Sequence, residues 1–170
     1  MMKALRLASL GALAFALTAC AGAQRLGAAG DVHELLVAIR DGDQAAFDAH
    51  VDRAALRRQI EARLAQEVEE APVDSNVRAL GALLGPAIAK AASEQLVQPD
   101  VFRGVAEYYG YDRSQPLPNR VAIAGSLKAL EDGRVCATRD KDGPCLLVFT
   151  EEEGVWRLTG FEGDVGMLRR

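Results

Sequence analysis

Two hydropathy periods divide this chain, and the change between them near residue 110 limits its fold more than any other feature. Before that point apolar residues recur every three or four positions, as on one face of a helix. After it they alternate in short runs between turns, as strands do. Asp31 with Glu34 three residues on is an Asp version of the capping box, and Val32, Leu35, Leu36 and Ile39 give the following helix its apolar face. Asp41-Gly42-Asp43 breaks that helix, and Asp43 caps a second, short one that buries Phe47 and Val51. Asp52 begins a third, with Leu56, Ile60, Leu64 and Val68 at every fourth position until Pro72 stops it. The spacing predicts a fourth helix over about 74–97, with Val77, Leu80, Leu84, Ile88 and Leu96 on one face and Gly81, Gly85 and Pro86 as sites for a kink. Pro99 opens a fifth that ends near Tyr109-Gly110.

Residues 110–119 contain two prolines and read as a loop. Four strands are predicted beyond it, over 121–130, 134–139, 145–150 and 155–161. Their separators are turns: Glu131-Asp132-Gly133, the Asp140-Lys141-Asp142-Gly143-Pro144 run, and 151–154. Connections this short make neighbouring strands antiparallel. The expected class is α+β, with N-terminal helices packed on a C-terminal four-stranded antiparallel meander sheet.

Residues 1–19 have the three parts of an export signal. Lys3 and Arg6 supply positive charge, and an apolar run over 7–17 is broken only by Ser9 and Gly11. A bilayer span needs about 20 apolar residues, so this run is too short to be one. It closes on Leu17-Thr18-Ala19-Cys20, a lipobox, in which small residues fit the signal peptidase and the Cys20 thiol takes diacylglycerol. Further acylation of the freed amine, commonly by palmitate, adds to the acyl chains of the diacylglycerol, and two or more chains are what stable anchoring requires. Ala21, rather than Asp, favours transport to an outer membrane over retention at the inner one. Residues 20–30, rich in Gly and Ala, read as the lipidated cysteine and a short flexible tether. A single domain over 31–162 and a tail over 163–170 complete the expected organisation.

Charge narrows the partners. The chain carries a net −4, and losing Lys3 and Arg6 with the leader makes the remainder two units more negative. An exported acidic domain is not expected to bind nucleic acid.

Several runs together resemble one family. They are Leu35-Leu36-Val37-Ala38-Ile39-Arg40-Asp41-Gly42-Asp43, then Phe47, then Val51-Asp52-Arg53-Ala54-Ala55-Leu56-Arg57. Leu80-Gly81-Ala82-Leu83-Leu84-Gly85, Leu96-Val97-Gln98-Pro99 and Gly154-Val155-Trp156-Arg157-Leu158 follow in the same order. In that order they resemble the bacterial domain-of-unknown-function family 2939 over nearly all of 31–162. The resemblance implies a membrane anchor, in agreement with the lipobox, and carries over no activity and no catalytic residue. By analogy it suggests a cystatin-like or nuclear-transport-factor-like cone, an architecture that fixes no function.

Side chains for chemistry are few. Cys136 and Cys145 remain after Cys20 is lipidated, and an even count in an oxidising compartment favours a disulfide over two buried thiols. A tight turn at Asp142-Gly143 pairs Cys136 with Phe149, whereas directly opposed cysteines need a wider loop with Thr138 facing Gly143. His33 and His50 lack a metal-like i,i+4 partner and read as surface or boundary histidines. No metal site, cofactor or catalytic constellation is expected. Asp140-Lys141-Asp142-Gly143 lacks the later Glu of a calcium loop and reads as a hairpin turn. Glu151-Glu152-Glu153 reads as a solvated turn. Tyr108, Tyr109 and Tyr111 crowd the end of the fifth helix as a candidate pocket or interface, with packing between helices and sheet as the alternative. The expectation is therefore a lipid-anchored envelope protein, not an enzyme, that docks on another envelope component. The alternative is a module holding a small apolar or lipid-like ligand in a pocket between the fourth helix and the sheet.

Overall fold

A computed structural model describes residues 2–70, 74–108, 110–139 and 143–162, with side chains from Gly22 onward except those of residues 64, 68, 77, 78, 89 and 93. Six helices precede and flank the sheet: α1 (Met2–Asp41), α2 (Gln44–Ala49), α3 (Arg53–Glu70), α4 (Ser75–Leu96), α5 (Pro99–Tyr108) and α6 (Arg120–Ser126). Four strands, β1 (Leu127–Ala129), β2 (Val135–Thr138), β3 (Cys145–Glu152) and β4 (Val155–Phe161), form one antiparallel sheet in the order β1-β2-β3-β4. The chain is thus α+β with a meander sheet, as the two periods predict.

Local chemistry sets most element ends. Asp43 accepts hydrogen bonds at 3.0 Å from the Ala45 and Ala46 amides and caps α2. Asp52 does the same for α3, through the Ala55 amide at 2.9 Å. Pro99 occupies the first position of α5, where its missing N–H costs nothing. The β3–β4 turn places Glu153 and Gly154 at φ 53° and 82°. Two successive left-handed residues suit a tight hairpin, and Gly154 takes the second without a Cβ clash.

Two segments differ from expectation. The helix does not begin at Asp31: α1 runs through 21–30 as well, and Ala28 and Ala29 are 0% exposed in the core. Residues at the end of the predicted tether therefore belong to the packed domain. Asp31 lies inside the helix, and its carboxylate accepts from the Trp156 amide at 2.8 Å instead of capping. The second difference lies in the predicted strand over 121–130, whose first part is helical within α6 and of which only Leu127–Ala129 forms a strand. Asn119 caps this helix through the Ala122 amide at 2.9 Å, and Ile123 and Ala124 turn into the core. The Asn119 cap, with Ala122 and Ala124 as good helix formers, outweighs the alternation of Val121 and Ile123.

The core lies between α1 and one sheet face. Val135, Phe149 and Leu158 stand in one row across β2, β3 and β4, with Leu127 and Trp156 on the same side. Leu35, Ala38 and Val32 of α1 pack onto them, with Phe47, Val51 and Leu56 from the segments that follow. Phe47 and Phe102 meet edge to face with centroids 5.3 Å apart, a geometry worth about 0.5–1.5 kcal/mol beyond burial.

Side chains of α3 fasten it to the last strand. Gln59 donates to the Phe161 carbonyl at 2.6 Å and accepts from the Phe161 amide at 3.0 Å, so one side-chain amide pairs with the backbone as a strand would. Arg63 donates to the same carbonyl at 2.9 Å and lies 4.7 Å from the Phe161 ring centroid. Upstream of α3, the backbone of 50–52 adds to β4. Leu158 donates to the His50 carbonyl at 2.9 Å and accepts from the Asp52 amide at 3.0 Å.

Cys136 and Cys145 are joined, with Cα atoms 5.5 Å apart. The register slips between Ala137 and Thr138, so Cys145 faces Thr138 while Cys136 faces Val148. Neither expected pairing occurs, because the bulge brings the two cysteines together diagonally. Asp140, Lys141, Asp142 and the 163–170 tail lie outside the described residues.

Candidate functional site

Three features of the folded chain have the chemistry to bind something. The first is the outer surface of α4. This helix packs on α3 and has only marginal contact with any other element among the described residues. Its predicted apolar face is solvent-facing: Leu80, Leu84 and Ile88 are 54–57% exposed and Leu83 is 77% exposed. Leu96 is exposed as well, while the side chain of Val77 lies outside the described set. The stripe is therefore not part of the core. A hydropathy period identifies a stripe but not what covers it. Pro86 lies inside the helix.

The second is a cavity of about 380 Å³ between α1 and the sheet. Leu36, Ile39, Phe102, Ala122, Leu147 and Phe149 are among its lining residues, and nearly every lining residue is apolar. No residue of α4 contributes, so the predicted pocket between the fourth helix and the sheet is replaced by one under α1, α5 and α6.

The third is a polar cluster at the junction of α1 and α2. His50 is buried, not at the surface or boundary, and its side chain is 10% exposed. Its Nε2 lies 3.4 Å from Glu34 Oε2, and its Nδ1 lies 4.0 Å from Asp31 Oδ1 without a hydrogen-bond partner. Asp31 and Glu34 sit one turn apart on α1, while His50 follows α2 and is fixed by the pairing of its carbonyl with β4. Glu34 also faces Arg120 at 3.6 Å. No spacing rule finds this cluster, because His50, which follows α2, meets the two carboxylates of α1 only after folding. His33 is elsewhere, with Nδ1 3.1 Å from the Pro118 carbonyl.

The two described tyrosines of the predicted cluster, Tyr108 and Tyr111, do not assemble a pocket. Tyr108 is exposed, Tyr111 is half-buried with an enclosed hydroxyl, and Tyr109 lies outside the described residues. Neither Tyr108 nor Tyr111 lines the apolar cavity. The backbone of Leu17, Thr18, Ala19 and Cys20 is helical within α1, and their side chains lie outside the described set. No helix of the described residues is long and apolar enough to cross a membrane.

Residues 13–105 match the family described as Protein of unknown function (DUF2939). The chain belongs to that family. The match covers more than half of the chain, from within the predicted leader to α5, so it takes in α4 and all three members of the Asp31–Glu34–His50 cluster. The sheet, including the closing Gly154–Leu158 run, lies outside the span matched to DUF2939. No curated protein and no solved structure matches the chain.

Proposed function

We propose that this DUF2939 member is a lipid-anchored envelope protein whose domain is a non-catalytic interaction module. Its partner is an envelope protein presenting an apolar groove to α4. The exposed face of α4 carries this reading. Leu80, Leu83, Leu84 and Ile88 fall at the i, i+3, i+4 and i+8 positions by which a helix anchors itself in a groove. Residues 79–89 contain no charge, so the fit is one of apolar shape and not of ion pairing. Contiguous exposed apolar surface on a soluble domain marks an interaction site. The lipobox at Cys20 supports the address, and Ala21 favours the outer membrane facing the periplasm.

A photo-crosslinking residue at Leu83 in cells tests the docking. One envelope protein crosslinked from position 83, and absent from Leu84→Glu cells, supports it. No adduct above that seen from a control position at Arg58, or adducts to lipid alone, would overturn it. Cys20→Ser tests the anchor and should release the protein from the membrane fraction; retention with unchanged mass refutes lipidation.

The cavity under α1 favours a second reading, a module for a small apolar or lipid-like ligand, because about 380 Å³ falls in the usual range of ligand pockets. Native mass spectrometry of the Cys20→Ser protein distinguishes the two: a bound species lost on denaturation supports the ligand, and a clean mass supports the docking module.

A further inference from the structure

Beyond the docking face, the geometry points to a divalent transition-metal site, zinc foremost, formed by Asp31, Glu34 and His50. Each residue offers one ligand atom, and the three atoms lie within 4.8 Å of one another. Ligands around zinc at bond lengths of about 2.0–2.1 Å stand about 3.3 Å apart in a tetrahedron. The 3.4 Å between His50 Nε2 and Glu34 Oε2 already has that spacing. Asp31 supplies the third ligand through a carboxylate oxygen within 4.8 Å of the other two ligand atoms, and its Oδ2 accepts from the Trp156 amide, which steadies the carboxylate.

The second observation is the state of His50. Its side chain is nine-tenths buried, yet Nδ1 finds no hydrogen-bond partner, so its desolvation is uncompensated. A cation in the cluster takes one ring nitrogen as its ligand and leaves the other to carry the proton of the neutral imidazole, the form a metal requires. Two carboxylates and a neutral imidazole also balance a divalent charge. One nitrogen with two oxygens suits zinc, nickel, cobalt or copper, and not calcium or magnesium, which take oxygen ligands. The cation enters from the groove of about 260 Å³ between α1 and α2, which Glu34 and His50 line. Waters complete its coordination. Arg120, 3.6 Å from the outer oxygen of Glu34, competes with it from the surface.

The test uses the full chain in detergent, without a histidine tag. Zinc binding is measured by competition with a chromophoric chelator, and cobalt binding by visible absorption. One equivalent is expected. Glu34→Gln should weaken binding at least about tenfold. Arg120→Ala should strengthen it, and His33→Gln should leave it unchanged. His50→Gln should abolish the cobalt spectrum. Glu34 is exposed, so its variant remains informative if the His50 variant fails to fold. No saturable equivalent at up to millimolar zinc, or binding indifferent to Glu34→Gln and Arg120→Ala, would overturn the assignment.

Discussion

The disulfide between β2 and β3 gives the sharpest energetic test of the fold. Its cysteines are nine residues apart in sequence, and closing a loop of that length removes about 2.6 kcal/mol of chain entropy from the unfolded state at 25 °C. Reduction leaves little cavity to add to this, because the buried Cys136 thiol remains in place as a small hydrophobe. Unfolding entropy per residue puts the loss of Tm at about 9 °C for a domain of about 130 residues. The assay is thermal unfolding of the Cys20→Ser protein, oxidised and after full reduction, followed by circular dichroism. The Cys136→Ala/Cys145→Ala pair should melt at or somewhat below the reduced form, since it also loses the buried thiol. Equal melting of the oxidised and reduced forms would refute the argument, and so would alkylation of both cysteines without reductant.

Three other outcomes follow from packing and charge. Phe47→Ala removes a fully buried ring and its contact with Phe102 and should cost about 3–5 kcal/mol in urea unfolding with an unchanged m-value. Gln59→Ala leaves the Phe161 amide without its partner and should cost about 1–3 kcal/mol, with faster amide exchange confined to the end of β4. Hydrogen bonds from the Arg134 backbone and side chain hold the Asp132 carboxyl below its ordinary pKa. Its folded pKa is depressed, so its stabilising effect is present at neutral pH and is lost as pH falls through that lowered value; a carbon-13 titration of Asp132 checks the direction, and an undepressed midpoint would contradict it.

Much of the fold is written in local signals. Asp43 and Asp52 cap where their spacing says they should, and the alternation over Val155–Phe161 yields β4 without adjustment. Ala28 and Ala29 were illegible because small residues carry little hydropathy signal, and only the close approach of α1 to the sheet buries them. The segment over 120–126 satisfies both periods at once, and Asn119 resolves it. The functional features were the least readable. The stripe on α4 is visible in sequence, but its exposure depends on which neighbours the hairpin of α3 and α4 lacks. His50 meets its carboxylates only because α2 folds back on α1, a contact no spacing within either helix records.

The backbone of 50–52 running beside β4 has a further consequence. A sheet recruits partners or copies of itself through vacant outer strands. Here Leu158 gives its outward amide and carbonyl to this short segment, and the opposite margin of the sheet is a strand of only three residues. Growth by strand addition is discouraged at both margins, which protects a chain of this design from polymerising through its sheet.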